Sequence, residues 1–444
     1  MKKQIFMELI RDFETHKLPE LIRRERIIKV PTANKAIAFI GPRRSGKTFL
    51  CYDIIGGLLD EGVPRERILY INLEDDRLFP LELPDLDGLL RTYFELHPEN
   101  TSKRVHLFLD EVQVVDGWER FVRRILDSEN IQVYLTGSSS KMLSSEIATT
   151  MRGRSISFLI LPFSFREFLV AKGFHTEAHM PSAKKAQLLS HLSDFARSGG
   201  FPEIVLERDP DLVTRLLGDY REVMLFRDIV ERFNVKNSGI LKSLFHTMIS
   251  STSSAFSINK FHNTLKSRGQ NIGKNTIYDY AGYLEDTYAI LLIRSFDYSL
   301  RKREQSLPKP YPIDPGFLRL QGPMVSDNAG VAMETIVAVE LLRLCAEKPT
   351  LDFHYWKGTY QREVDFVITR DTDVSALVQV CYDLEDEDTE GREVRSLLNA
   401  GKALSCDNMF ILSWDEERTV EVSGKEIHVL PVWKWLLDPS VIPL

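Results

Sequence analysis

A short apolar run that leads directly into a glycine-containing loop restricts the fold of this chain more than any other sequence feature. Residues 37–40 read IAFI, and the segment GPRRSGKT that follows, from Gly41 to Thr48, matches the pattern G-x-x-x-x-G-K-[ST]. The order of buried strand, loop and helix is the one that cradles the phosphate groups of a nucleotide. The pattern therefore predicts an α/β fold built around a phosphate-binding loop.

The loop residues have distinct chemical tasks in this interpretation. Gly46 lets backbone N–H groups approach the phosphates, Lys47 brings an ammonium group to the β and γ phosphates, and the Thr48 hydroxyl can ligate magnesium. The side chains of Arg43 and Arg44 are expected to face solvent or a partner. The implied cofactors are ATP and Mg²⁺, and the predicted nucleotide-binding residues are Gly41, Pro42, Arg43, Arg44, Ser45, Gly46, Lys47, Thr48 and Phe49.

A second apolar run, VHLFLDEVQ, ends in the acids Asp110 and Glu111. On its own, such a pair most often marks a strand that leaves the core for solvent. Downstream of a phosphate-binding loop, the first acid is expected to hold the magnesium shell together with Thr48. The second acid is expected to act as the base that polarises the attacking water. The two motifs together predict an ATPase with Glu111 and Lys47 as catalytic residues.

Two further predictions concern the segment after a third apolar run, IQVYLTGSSS. Ser138, with Ser139 next to it, is predicted to sense the γ-phosphate, and the alternative is a serine-rich turn. Arg152 and Arg154, in MRGRS, are predicted to complete the site of a neighbouring copy, although arginines at such places are more often surface residues. The runs ILYINLEDD and SISFLILP supply two more strands, which predicts a five-stranded parallel sheet.

Taken together, these strings resemble the archaeal and bacterial ATPases that join an AAA+ domain to a C-terminal domain of unknown function, number 4143. The resemblance rests on GPRRSGKT, LFLDEVQ, LTGSSS, RGRS with LPFSFREFL, SGGFPE, FRDIVER and EVDFV. It implies an α/β P-loop AAA+ core followed by three more parts. The expected ranges are 1–161 for the ATPase domain, 162–245 for a helical lid, 246–322 for a winged helix-turn-helix and 323–444 for a restriction-endonuclease-like α/β domain.

The region expected to form the winged helix carries a basic stretch. Two helix-like runs are separated by a Gly-Gln-Asn turn, and an apolar strand follows them, an order similar to a winged helix-turn-helix. No acid occurs between residues 257 and 274, and a second basic cluster at residues 301–303 is placed to form the wing. Duplex DNA is one predicted partner, and a protein is the other, because winged helices also dock proteins. The residues predicted to contact DNA are Lys260, Lys266, Arg268 and Lys274.

The C-terminal region resembles the core of PD-(D/E)XK nucleases, in which acids on a helix and two strands bind magnesium. Glu334 lies where the helix acid is expected and Asp365 where the first strand acid is expected. Gln379 takes the place of the next acid, and glutamine is a poor ligand for a hard cation. Cys381 takes the place of the lysine, and a neutral cysteine cannot replace an ammonium group. This pattern predicts a degenerate, inactive nuclease fold. Lys357 is an alternative source of the lysine, although an exposed turn lysine is the simpler interpretation.

Composition restricts the remaining functions. The formal net charge of -7 argues against a protein whose whole surface coats nucleic acid. The four cysteines are widely spaced, and neither a signal-peptide core nor an apolar run of membrane-spanning length is found, so a cytoplasmic protein is expected. The leading hypothesis is an ATP-driven conformational switch acting on DNA. The alternatives are a switch for protein interactions, with a partner protein or through self-association, and an ATPase-coupled nuclease.

Overall fold

The computed structural model of the protein consists of two compact units, Met1–Ile160 and Leu161–Leu444, and we describe each unit separately. The residues that the structure describes are 2–25, 28, 30–137, 151, 153–177, 179–321, 327–359 and 362–444.

The first unit is built on a five-stranded sheet in which all neighbouring strands are parallel. Its strands are β1 Ala36–Ile40, β2 Ile68–Asn72, β3 Val105–Asp110, β4 Ile131–Thr136 and β5 Ser155–Leu159. Their order across the sheet is β2-β3-β4-β1-β5. Strand β1 therefore lies between β4 and β5 and not beside β2, the strand that follows it in the sequence. The predicted five-stranded parallel sheet is therefore confirmed.

Helices cover both faces of this sheet, which explains why its inner strands β1, β3 and β4 are buried along their whole length. Ala36, Ala38 and Ile40 of β1 belong to one apolar cluster, and Ile37 and Phe39 belong to the other. This alternation is the period of two expected for a strand buried on both faces. Helices α3 and α4 pack on the first cluster and α2 on the second. The helices of this unit are α1 Lys2–Thr15, α2 Lys47–Asp60, α3 Leu83–Leu96 and α4 Trp118–Ser128.

The second unit begins with helices. A π-helical turn, Phe226–Glu231, extends α8. The helices that precede its first strand are α5 Phe165–Ala171, α6 Ser182–Ser198, α7 Pro202–Leu206, α8 Pro210–Leu225, α9 Ser238–Ser250, α10 Ile258–Ser267 and α11 Lys274–Asp286. Strands β6 Ile290–Ile293 and β7 Lys309–Pro312 then pair in an antiparallel ladder, with the short helix α12 Leu300–Gln305 between them.

A mixed six-stranded sheet forms the C-terminal part of the second unit. The strands of the sheet are β8 Leu351–Lys357, β9 Glu363–Arg370, β10 Asp373–Val380, β11 Met409–Ser413, β12 Arg418–Val422 and β13 Lys425–Pro431. The helices of this part are α13 Asp327–Glu347, α14 Glu387–Leu404 and α15 Val432–Leu437. The strand order is β12-β13-β11-β10-β9-β8. Strand β11 lies parallel to β10 and β13, and the other pairs are antiparallel. The segment expected as one strand before residue 370 is a hairpin of β8 and β9.

Helices α9 to α11 and then the β6-β7 pair follow the element order of a winged helix, but α9 begins in the segment that we expected to form the lid. The assignment stays a prediction, as do the three domain boundaries after residue 161. Within the described part of the chain, no helix combines the length and the apolarity that crossing a membrane requires.

Candidate active site

The phosphate-binding loop connects the end of β1 to the start of α2, and its backbone leaves no room for a side chain at the first position. Gly41 has a φ of 144°, and a Cβ added there would lie 2.1 Å from the carbonyl oxygen of Ile160. Any other residue would have to displace the backbone that follows β5. Gly46 is the N-cap of α2, so the amino end of that helix is exposed to whatever the loop encloses.

Lys47 lies inside the loop with 4% of its surface exposed. Its ammonium group donates hydrogen bonds to the carbonyl oxygens of Gly41, at 3.1 Å, and Pro42, at 2.9 Å. The Ser45 hydroxyl is also buried, and it has no hydrogen-bond partner among the described residues. An unsatisfied buried hydroxyl beside a buried ammonium group is an arrangement that an anion can complete. The loop therefore fits the phosphate groups of a nucleotide.

The remaining loop side chains point to other surroundings. The guanidinium of Arg43 lies 3.7 Å from the Glu74 carboxylate, and Arg44 is exposed. Phe49, on the first turn of α2, is 54% exposed. These positions agree with the expectation that the two arginine side chains do not bind the phosphates.

Asp110, the last residue of β3, accepts hydrogen bonds from three hydroxyl groups. Thr48 donates to its Oδ2 atom at 2.9 Å and Tyr70 to the same atom at 2.7 Å, while the Thr136 hydroxyl donates to Oδ1. Burial raises the pKa of Asp110 above its ordinary value, although the bonds from Thr136, Tyr70 and Thr48 oppose the shift. A buried carboxylate next to a hydroxyl supplies the hard oxygen donors that Mg²⁺ prefers. The two predicted magnesium ligands thus lie side by side.

Glu111 follows Asp110 in a left-handed backbone conformation, with a φ of 56°. Its backbone N–H donates to the Thr136 hydroxyl at 2.8 Å. The side-chain amide of Gln113 donates to the Glu111 carboxylate at 2.5 Å. The carboxylate is therefore held by a neighbour on the loop after β3, and Thr136 connects both acids to the end of β4.

Sequence reasoning missed three residues of this site, Tyr70, Gln113 and Thr136. The available signal for Thr136 was its place as the last residue of the third apolar run, where we instead favoured the serines beyond it. Ser138, Ser139 and Arg152 lie outside the described residues, so their assigned roles stay predictions.

Arg154 lies away from the phosphate-binding loop of its own chain. Arg154 precedes β5, which runs parallel to β1, and therefore lies at the amino end of the strands. The loop lies at their carboxyl end, roughly 15 Å away by strand length. The guanidinium group of Arg154 donates two hydrogen bonds to Asp127, from Nε to Oδ1 and from Nη2 to Oδ2, at 3.0 Å each. Only a second copy of the chain could bring this arginine to a nucleotide, so its role as a finger stays a prediction.

The second unit holds the other predicted site residues. Lys260, Lys266, Arg268 and Lys274 are all exposed, on α10, at its end and at the start of α11. Glu334 and Asp365 come together in the interior, and the Gln379 amide oxygen accepts the Asp365 N–H at 3.2 Å.

A lysine that the sequence did not indicate lies between these acids. The Lys309 ammonium group is 3.6 Å from Glu334 and 3.5 Å from Asp365, whereas Lys357 is exposed. Over the described ranges, no group of three or more His, Cys, Asp and Glu side chains is arranged to hold a metal ion.

Comparison with known families divides the chain into three matched segments. Residues 33–169 match an AAA domain, and residues 329–435 match the domain of unknown function DUF4143. Residues 189–323 match a further domain of unknown function, DUF8612. The AAA and DUF4143 matches confirm the resemblance inferred from the sequence strings.

Related proteins extend the match over almost the whole chain. The Uncharacterized protein MJ1544 of Methanocaldococcus jannaschii is 36% identical over 443 residues, which cover 98% of this chain and 96% of that protein. An uncharacterized protein of Haemophilus influenzae is 29% identical over 426 residues, 94% of this chain and 99% of its own.

Among solved structures, the Aeropyrum pernix ORC1 protein in complex with DNA is similar at 12% identity and a TM-score of 0.32, over 77% of this chain and 93% of that one. C. elegans PCH-2 is similar at 16% identity and a TM-score of 0.28, over 49% and 61%. On the strength of the family matches and the full-length relative, the chain belongs to the family of AAA-type nucleotide-binding ATPases that carry a C-terminal DUF4143 domain.

Proposed function

We propose that the protein is a cytoplasmic ATPase that binds Mg-ATP at the loop of residues 41–48 and hydrolyses it. The cycle of binding and hydrolysis switches the conformation in which the second unit binds DNA. The observation that carries the proposal is the 2.9 Å hydrogen bond from the Thr48 hydroxyl to Asp110, the residue before Glu111, because it supports a magnesium site formed by these two oxygen donors. Four cysteines without disulfide partners, Cys51, Cys345, Cys381 and Cys406, support a reducing compartment.

The chain's own residues have separate tasks in this cycle. Lys47 exchanges the carbonyl oxygens of Gly41 and Pro42 for the β and γ phosphates, and the Ser45 hydroxyl gains the partner that it lacks. Mg²⁺ held near Thr48 and Asp110 would neutralise charge on the phosphates. Glu111 accepts a proton from the attacking water once its bond from Gln113 is released.

The DNA part of the proposal rests on the exposed basic residues of α10 and the start of α11. Between residues 257 and 274 no acid offsets their charge. Side chains of this kind contact phosphates without reading the base sequence, which predicts binding that weakens strongly with salt.

The first test is steady-state ATP hydrolysis by the wild type and by Glu111→Gln, each with and without duplex DNA. We expect the variant to bind ATP with wild-type affinity and to lose turnover by roughly 100-fold or more. Lys47→Ala is the control that should lose ATP binding as well. Turnover that survives in Glu111→Gln would show that another group is the base.

The second test compares two variants with the same change in net charge. In one, Lys260, Lys266, Arg268 and Lys274 become glutamine; in the other, the exposed residues Lys348, Arg370, Arg395 and Lys402 become glutamine. If the basic stretch binds DNA, only the first variant loses affinity, and the slope of log K against log salt falls by about 0.9 for each lost phosphate contact. No binding by the wild type at low salt would favour the alternative function, a switch that recruits a protein.

A further inference from the structure

The interior of the C-terminal sheet holds a charged cluster that the ATPase function does not use. It consists of Glu334 on α13, Glu363 and Asp365 on β9, and Lys309 on β7. Two of these acids, Glu334 and Asp365, are the ones that the nuclease resemblance assigns to a magnesium ion. The structure provides a cation at that place from within the chain.

Lys309 is one of the most deeply buried side chains of the protein, with 1% of its surface exposed. Its ammonium group lies 2.5 Å from Glu363, 3.5 Å from Asp365 and 3.6 Å from Glu334. Burial alone would lower the pKa of Lys309, but the three carboxylates outweigh it and hold the pKa above its ordinary value. The lysine is therefore charged in the folded protein.

Three of the carboxylate oxygens around Lys309, Glu334 Oε1 and both oxygens of Asp365, have hydrogen-bond partners. Tyr311 donates its hydroxyl to Glu334 Oε1 at 2.5 Å, and the backbone N–H of Val380 donates to Asp365 Oδ2 at 3.0 Å. With Oδ1 turned to Lys309, both oxygens of Asp365 have partners. The third expected ligand, Gln379, uses its oxygen on the Asp365 N–H and its amide on Glu393, at 2.6 Å.

These contacts do not fit a divalent metal ion. Magnesium needs oxygen ligands at about 2.0–2.1 Å in octahedral arrangement. An ion placed between Glu334 and Asp365 would occupy the position of the ammonium group and would be repelled by its charge. The mismatch also explains why Gln379 and Cys381 can replace the acid and the lysine expected there.

We propose that Lys309 is a tethered cation that replaces the metal ion between Glu334 and Asp365. It joins the β6-β7 pair to α13 and β9 by charge, as a structural metal would. The cluster then holds parts of the second unit together and takes no part in cleaving nucleic acid.

Manganese binding tests the proposal directly, because Mn²⁺ prefers the same oxygen ligands as Mg²⁺ and its free form is counted by electron paramagnetic resonance. The full chain is titrated without nucleotide, as wild type and as Asp365→Asn. We expect both to bind the same number of ions, and magnesium-dependent cleavage of duplex DNA to be absent from both. A wild-type ion that is lost in Asp365→Asn would overturn the proposal.

Thermal unfolding supplies the second readout. Lys309→Ala leaves buried acids without their cation, and we expect its midpoint to fall by roughly 10 °C. Millimolar Mn²⁺ should raise the midpoint of this variant more than that of the wild type. Lys357→Ala is the matched control, because Lys357 lies opposite Glu363 in the β8-β9 ladder yet is exposed, and it should behave as wild type.

Two outcomes of the unfolding experiment would contradict the proposal. One is that Lys309→Ala unfolds at the same midpoint as the wild type; the other is that Lys309→Ala and Lys357→Ala lower the midpoint equally. If Lys309→Ala does not accumulate as folded protein, Lys309→Met combined with Asp365→Asn replaces it. Removing a charge of each sign together should restore folding. A double variant that also fails to accumulate as folded protein would contradict a charge-pairing role.

Discussion

At the residue scale, the site is organised by hydroxyl groups around one buried carboxylate. Thr48, Tyr70 and Thr136 come from α2, β2 and β4, and all three donate to Asp110. Thr136 also accepts the N–H of Glu111, so it contacts both the proposed magnesium ligand and the proposed base. A change at the end of β4 is thereby passed to both acids through one side chain.

Thr136→Val tests this connection. The variant keeps the shape of the side chain but removes the hydroxyl, which leaves the Asp110 oxygen and the Glu111 N–H without a partner. The loss of about 1–3 kcal/mol in hydrogen bonding predicts a fall in kcat of roughly 5- to 150-fold. KM for ATP should change less than threefold because the loop is untouched. Thr136→Ser is the control that keeps the hydroxyl, and equal losses in both variants would argue that packing matters instead.

Gln113→Ala tests whether the Glu111 carboxylate is restrained before hydrolysis. The bond from the Gln113 amide occupies one oxygen of the Glu111 carboxylate, Oε2, and fixes the orientation of the side chain. We therefore expect basal turnover without DNA to rise several-fold, with ATP affinity unchanged. Single-turnover kinetics separate the chemical step from product release. A lower rate would show that Gln113 positions the base and does not restrain it.

The sequence predicted the residues of the two motifs because their spacing along the chain carries the chemistry. Tyr70 and Thr136 could not be predicted in the same way, since their contacts depend on strand register. Asn72 pairs with Asp110, which places Tyr70 opposite Phe108, and Leu109 pairs with Leu135, which brings Thr136 next to Asp110. Neither register can be read from the apolar runs alone.

At the scale of elements, the turn between α6 and α7 shows why the SGGFPE string has two glycines. Gly199 has a φ of 80°, and a Cβ there would lie 1.6 Å from an Asp314 carboxylate oxygen. Asp314, after β7, accepts the N–H groups of Gly200 at 2.7 Å and Gly316 at 2.9 Å. A buried carboxylate thus joins the helical part of the unit to the segment that follows β7. The sequence indicated a turn, but not its partner more than a hundred residues away.

Asp314 also makes stability depend on pH. Burial raises its pKa to about 7, although the bonds from Gly200 and Gly316 oppose the shift. The folded carboxyl group therefore keeps its proton when the unfolded one has lost it. This contribution, on the order of 4 kcal/mol, is fully present below about pH 4 and is lost as the pH rises to 7.

Asp314→Asn should remove this dependence, and urea unfolding between pH 5 and pH 8 measures it. The free energy of unfolding of the wild type minus that of the variant should fall as the pH rises to 7 and level off above it. Asp314 lines a small cavity together with Glu340 and Arg343. These two residues form an ion pair that is present in the wild type and in the variant alike. Parallel curves for the two proteins would contradict the predicted shift.

The sequence predicted several elements of the second unit, but not strands β11 to β13 or how the elements meet. Lys309 lies in the region that we assigned to the winged helix, whereas its three acids lie in the region that we assigned to the nuclease-like domain. A search for a lysine confined to the second region led to Lys357, which is exposed. Long-range ion pairs of this kind leave no periodic pattern in either segment.

At the scale of the whole molecule, the β6-β7 pair and the C-terminal sheet are parts of one unit. The N–H of Phe296 donates to the carbonyl oxygen of Tyr355 at 2.6 Å. The N–H of Tyr355 donates to the carbonyl oxygen of Arg294 at 3.2 Å. The Phe296 side chain is buried in the core of the C-terminal sheet. A nucleotide-driven switch would therefore move these parts together.

Calorimetric unfolding of the full chain tests this organisation. We expect two transitions, one for each unit, and a non-hydrolysable ATP analogue with Mg²⁺ at 100 times its Kd should stabilise the first unit by about 2.7 kcal/mol. Phe296→Ala removes a buried ring at a cost of about 3–5 kcal/mol and should lower only the second transition, without splitting it. The control is Phe79→Ala, a ring of the first unit that is 85% exposed, which should move neither transition. A third transition in Phe296→Ala would mean that the β6-β7 pair unfolds apart from the C-terminal sheet, and the two parts could then move independently during the ATP cycle.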